Sequence, residues 1–290
     1  MHSGKRPIML VCAARWYLSI MLAKLILKFT DGERRIELPA QGITVFVGPN
    51  NSGKSLVLRE IESAISNNPK PSDLKIVDDF EIEWPDQAQI ERDLGSTVQT
   101  RPVGLGADQV FFGRFGPNGQ FEGTTTNKND LVAMAGRHEN KQWLASNFLR
   151  FFLLRLDGRT RFELTNDRPM GDLLQVPQNI LTRLFVDDAL RREVRAQIFE
   201  AFGLHLVIDP THGGQLRIRL SAREPTSDEQ SLSEQARRFH SEALYIKDTS
   251  DGVQAYVGIV SSVLAGHYRG LLIDEPEAFL HPPLARKLGK

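Results

Sequence analysis

The residues best suited to chemistry begin with Gly48-Pro49-Asn50-Asn51-Ser52-Gly53-Lys54-Ser55, a full match to G-x-x-x-x-G-K-[ST]. Glycines at both ends let the backbone fold around an anion without a Cβ clash. A helix expected from Lys54 onward turns its unpaired N–H groups and positive dipole end toward the same anion. In that setting Lys54 reaches β- and γ-phosphates, and the Ser55 hydroxyl ligates Mg²⁺. Far along the chain, Gly270-Leu271-Leu272-Ile273 runs into Asp274-Glu275-Pro276. Asp274, at the end of an apolar strand, suits a place in the coordination shell of the metal, and Glu275 suits a general base that polarises an attacking water. A third segment, Thr249-Ser250-Asp251-Gly252-Val253-Gln254, opens a helical stretch over residues 255–265. Ser250 and the N–H groups near Gly252 offer a second anion site there, while Ser250 or Asp251 also suits an ordinary helix cap.

These residues need elements to hold them. Residues 43–47 (Ile-Thr-Val-Phe-Val) are apolar except for Thr44, as expected of a strand buried on both faces and feeding the glycine loop. The helix after it carries Leu56, Ile61 and Ile65 and stops at Ser66-Asn67-Asn68-Pro69. Upstream, residues 25–29 and 34–38 read as a hairpin turned by Asp31-Gly32. Downstream, a strand is expected at residues 80–84, then loops to about residue 123, then mainly helix over residues 127–150. Residues 151–156 and 161–164 around Asp157-Gly158 read as a second hairpin. Residues 179–202 read as one amphipathic helix stopped by Gly203, and residues 204–208 and 215–220 as a third hairpin around His212-Gly213-Gly214. Residues 223–235 are polar, an exposed linker or helix start.

Composition frames the class. The chain has 290 residues, 36 basic and 36 acidic side chains, 41% hydrophobic residues and one cysteine, Cys12. That describes a globular chain with a substantial core and excludes a disordered, collagen-like or disulfide-built one. Zero formal charge gives no electrostatic argument for nucleic acid or an anionic membrane. No run of about 18 apolar residues is present, and Arg15 breaks the apolar stretch after Lys5 and Arg6, so the expected location is cytoplasmic, with no membrane partner. Met21 is a plausible start, which makes residues 1–20 an N-terminal extension. The pairs Arg191-Arg192 and Arg237-Arg238 are the basic residues available to touch DNA, although isolated pairs are usually solvated charge.

The phosphate loop, the adjacent acids and the Ser-Asp-Gly-Val-Gln segment come in the order of the ABC-type ATPases, whose signature L-S-G-G-Q the third segment resembles. Residues 271–282, Leu-Leu-Ile-Asp-Glu-Pro-Glu-Ala-Phe-Leu-His-Pro, are similar to the D-E-P-E-x-x-L-H-P pattern of the AAA-labelled, ABC-like ATPases of the OLD, RecF and SMC neighbourhood, with the OLD-like group nearest. That group serves in phage defence and DNA processing. The resemblance implies an α/β P-loop NTPase fold: an ABC-type head over residues 21–290 with an N-terminal β hairpin and an inserted α+β lobe at about residues 125–250. It implies ATP and Mg²⁺ as ligands and a homodimer that sandwiches nucleotide, with Lys54, Ser55, Asp274 and Glu275 acting in cis and Ser250 and Gly252 in trans. DNA or a nuclease is a further implied partner. Gln87, Gln89 and Gln99 are positional candidates for the family's glutamine loop, and His281 is given no catalytic role. Only residues 275–290 follow Asp274. The family's last core strand, its switch histidine and the Toprim nuclease domain of OLD proteins do not fit there, so the core sheet is expected to lack its last strand and to leave an exposed edge or apolar face. Two alternatives stand beside the ATPase: the ATPase part of a nuclease whose cutting domain lies elsewhere, and a nucleotide-gated binding module without appreciable turnover.

Overall fold

β1 (Leu22–Lys28) and β2 (Arg35–Pro39) pair antiparallel, with Leu25 opposite Leu38 and Leu27 opposite Ile36, the hairpin expected from their alternation. Its Asp31-Gly32 turn lies outside the residues that this computed structural model describes, which are 21–28, 34–39, 42–97, 104–117, 119–135, 137–158, 160–276, 278, 280 and 282–288. The N-terminal extension, Cys12, Gln99 and His281 lie outside them too.

Residues 43–47 do not form the strand expected of them. Phe46 leans on the core, but Ile43, Val45 and Val47 are 42, 44 and 61% exposed. Apolar side chains favour a strand, yet a strand also needs a neighbour for its N–H and C=O groups. Among the described residues, no strand pairs with this segment.

α1 (Lys54–Ser66) begins and ends as its pattern predicts, and buries Val57, Ile61, Ala64 and Ile65 at helical spacing. β3 (Val77–Ile82) starts three residues earlier than expected and pairs with β1, giving the sheet order β2-β1-β3. The region read as loops contains α2 (Gln87–Thr97) and an antiparallel hairpin of β4 (Gln109–Phe115) and β5 (Phe121–Asn127). Gly113 opposite Gly123, and a run of three threonines, mask that hairpin as a hydrophobic pattern. Gln87 and Gln89 lie on α2. Helix follows as expected, in α3 (Lys128–Ala135) and α4 (Lys141–Asn147).

β6 (Leu153–Leu156) is not half of a hairpin. Asp157 ends it, and the segment expected to return as a strand is α5 (Thr160–Glu163), one helical turn capped by the Asp157 carboxylate, which accepts from the Thr160 N–H at 3.0 Å. A short β7 (Arg168–Pro169) follows. The expected single helix is two, α6 (Ile180–Val186) and α7 (Asp188–Phe202). Asp187 breaks the run because its carboxylate caps α7 through the Leu190 N–H at 2.9 Å. Gly203 ends α7 as predicted. β8 (His205–His212) and β9 (Gln215–Ser221) form the third hairpin, with β7 and then β10 (Leu244–Tyr245) on the flanks of β9. α8 (Glu234–Glu242) is capped by Ser233.

α9 (Asp251–Ala265) is apolar nearly all round and runs through the core, packed on α5, α6 and α7. β11 (Gly270–Ile273) pairs in parallel with β6, Gly270 opposite Leu153 and Ile273 opposite Leu156, and α10 (Pro282–Leu288) closes the described chain. The architecture is mixed α/β with several small sheets. Among the described residues no helix is long and apolar enough to cross a membrane.

Candidate functional site

The glycine loop and the acidic turn meet although they lie far apart in sequence. β6 and β11 run in parallel, and the Asp274 N–H donates to the Leu156 carbonyl at 2.8 Å, so Asp274 emerges at the shared carboxyl end of the two strands. Crevices at such strand ends are where open α/β sheets place ligands. Ser55, in the first turn of α1, donates its hydroxyl to Asp274 Oδ1 at 3.0 Å. That one bond brings together the two predicted metal-binding residues.

The loop is shaped by its backbone. Gly53 caps α1 at φ 91°, the left-handed region that costs a side chain heavily, and Asn51 shares that region at φ 63°. A Cβ on Gly48 would lie 2.6 Å from Ser52 Oγ, so a side chain there would require the Ser52 hydroxyl to rotate away. Ser52 N–H donates to Pro49 O at 3.3 Å, and Pro49, Asn50 and Ser52 stand exposed. Lys54 Nζ lies back over its own loop and donates to the Gly48 and Pro49 carbonyls at 2.8 and 2.9 Å. Those carbonyls hold the Lys54 ammonium folded back over the loop.

The acidic turn is held from beneath. Glu275 has φ 47°, unusual for a residue with a side chain, and its exposed carboxylate takes no hydrogen bond among the described residues. Under the turn lies Arg161, fully buried. Its guanidinium donates to the carbonyls of Asp274, of Glu275 at 3.0 Å and of Ala278 at 3.2 Å, while Nε donates to Asp157 O at 3.1 Å. Beside it, Arg155 joins Glu62 of α1 at 2.6 Å to Asp157 at 3.2 Å, which ties the helix after the glycine loop to the end of β6. Burial alone would lower the Arg155 pKa, but Glu62 and Asp157 together raise it above the ordinary arginine value.

A second carboxylate steadies the loop from the other side. Glu60, buried on α1, accepts the N–H groups of Lys75, Ile76 and Val77 at 2.8, 2.7 and 2.9 Å. Ile76 in turn lies where a Cβ on Gly53 would come within 3.0 Å of its side chain.

Sequence reasoning missed Arg161 and Glu60. Arg161 carried one available signal, its place four residues after an Asp-Gly pair, but that pair read as a hairpin turn. Glu60 falls on the apolar face of α1, which marks a buried carboxylate in need of donors. Ser250 and Gly252 open α9 as expected, but the Ser250 side chain makes no cap bond, and among the described residues no hydrogen bond joins either one to the loop or the acidic turn. Arg191, one of the basic residues named as available to DNA, is buried against Glu229 and Asp188 and donates to the Leu184 and Phe185 carbonyls.

The donor set suits Mg²⁺. A hydroxyl and a carboxylate converge from separate elements, both hard oxygen donors, and Mg²⁺ keeps most of its shell for water and phosphate. Among the described residues no group of three or more His, Cys, Asp or Glu gathers to hold a metal by protein atoms alone. No protein-family model matches the chain, and no curated protein matches it.

Proposed function

We propose that the chain is an ABC-type, OLD-like P-loop head that binds ATP with Mg²⁺, hydrolyses it, and dimerises around the nucleotide. The observation that carries this reading is the 3.0 Å contact between Ser55 Oγ and Asp274 Oδ1, which gathers the hydroxyl and the carboxylate of two separate motifs at the end of a parallel strand pair. The N–H groups of the loop and of the first turn of α1 bind the phosphates, and Lys54 leaves the Gly48 and Pro49 carbonyls to neutralise their charge. Ser55 and Asp274 hold Mg²⁺, which when bound supplies charge neutralisation at the phosphate oxygens. Glu275, exposed and without a hydrogen-bond partner among the described residues, orients a water and takes its proton. Ser250 and Gly252, at the start of α9, act at the loop of a second copy in this reading. DNA processing or phage defence is the proposed setting.

Binding of a fluorescent ATP analogue and phosphate release by the full chain test this. Lys54→Ala should abolish detectable binding. Glu275→Gln should leave affinity within a few-fold and lower turnover by about 10²–10⁴-fold, the range of general-base contributions. Normal ATP binding by Lys54→Ala would overturn the reading. Undiminished turnover by Glu275→Gln would remove only the base assignment.

A further inference from the structure

We propose that Arg161 is the positioning residue of the acidic turn, fixing the backbone beneath Asp274 and Glu275 and thereby the rate of hydrolysis. The proposal rests on the ATPase reading above and assigns a role to a residue outside all three motifs.

Glu275 carries a left-handed backbone, a conformation that persists only where its surroundings impose it. The group that imposes it is the Arg161 guanidinium, whose fork spans three carbonyls within five residues, those of Asp274, Glu275 and Ala278. A buried guanidinium is tolerated only when its donors are satisfied, so the clamp and the burial require each other. Lysine has no equivalent, since a compact ammonium cannot present a rigid planar fork.

Arg161 is itself immobilised. Thr160 Oγ1 accepts the Asp157 N–H at 2.8 Å and donates to the Asp157 carboxylate at 3.2 Å, that carboxylate accepts the Thr160 N–H, and Arg161 Nε donates to the Asp157 carbonyl, so α5 cannot rotate without breaking its cap. On the opposite side the Arg161 carbonyl lies where a Cβ on Gly258 of α9 would come within 2.9 Å. The side chain of Arg161 therefore grips the acidic turn while its backbone rests against the helix that begins at Ser250 and Gly252.

The test compares the unmutated full chain with Arg161→Lys and Arg161→Met, using a fluorescent ATP analogue for affinity, phosphate release for turnover, and hydrogen exchange of the amides at residues 274–278. Affinity should stay within about threefold, amide exchange in the turn should rise, and kcat should fall by about 100-fold, the loss expected from misplacing a catalytic group by roughly 1 Å. A purely structural residue would move affinity, kcat and global melting together, and that result would overturn the proposal. So would faster exchange in the turn with kcat unchanged. If both variants fail to fold, the Arg161 side-chain N–H resonances of the unmutated protein decide: slow solvent exchange is expected, and exchange as fast as that of exposed arginines overturns the clamp. Absence of Mg-dependent turnover in an unmutated protein whose Arg161 resonances exchange slowly would count against the ATPase reading and leave no hydrolytic rate for Arg161 to set.

Discussion

Glu60 illustrates how a single side chain supports a site it never touches. Its carboxylate gathers three backbone N–H groups where the chain enters β3, and Ile76, one of the three, lies against Gly53 at the base of the loop. Hydrogen bonds to charged groups are stronger than neutral ones, and a buried donor left without an acceptor keeps its full desolvation cost. Glu60→Ala should therefore destabilise the fold by about 3 kcal/mol in urea denaturation, with Glu60→Gln costing less because one acceptor oxygen remains. At this scale the sequence was most readable where chemistry requires a fixed spacing. Gly48 to Ser55 and Asp274-Glu275 were visible because the pattern G-x-x-x-x-G-K-[ST] and an acidic pair after an apolar strand are read from residue types and spacing alone. Arg161 and Glu60 were invisible because their partners are backbone groups, which every residue has, and only the fold decides which backbone lies near.

Helices and hairpins with local rules were legible, whereas elements defined by distant partners were not. The β8–β9 hairpin turns at Gly213-Gly214 as its sequence demands. The break between α6 and α7 was hidden because the apolar spacing continues across Asp187, and periodicity alone does not record a cap. The capping bond makes a prediction: Asp187→Ala should lower stability by about 1 kcal/mol, the usual cost of losing an N-cap, readable as a fall in Tm. β6 was misread for a different reason. A parallel partner leaves no trace in neighbouring residues, so Asp157-Gly158 looked like a hairpin turn when it is the junction between a strand and the α5 turn. Residues 43–47 erred in the opposite sense, their composition being that of a buried strand while Ile43, Val45 and Val47 stand exposed. Such a segment is an association hazard. Replacing Val45 and Val47 with threonine should reduce concentration-dependent light scattering without lowering Tm.

Among the described residues some of the acids and bases are gathered in paired, partly buried networks. Asp209 is the most enclosed of these acids, with Arg217 at 2.9 Å and Arg219 at 2.6 Å. Burial pushes its pKa up, but Arg219, Thr211 and His240 outweigh that and hold it at about 2, below the ordinary 3.8. Because the folded value is depressed, its contribution to stability is complete above pH 3.8 and is lost as the pH falls toward 2. Acid unfolding of the unmutated protein should steepen in that window, and Asp209→Asn should flatten it while costing about 3 kcal/mol at neutral pH, since two guanidinium groups lose their buried counter-charge.

The Ser55–Asp274 bond joins residues 219 positions apart. During synthesis the glycine loop therefore leaves the ribosome long before the acidic turn exists. Closing so long a loop costs only a few kcal/mol of chain entropy, because the cost grows with the logarithm of length. Order of emergence matters more than that cost. The nascent chain carries the glycine loop without its acidic partner until β11 has docked beside β6, so the two segments are separated in time as well as in sequence.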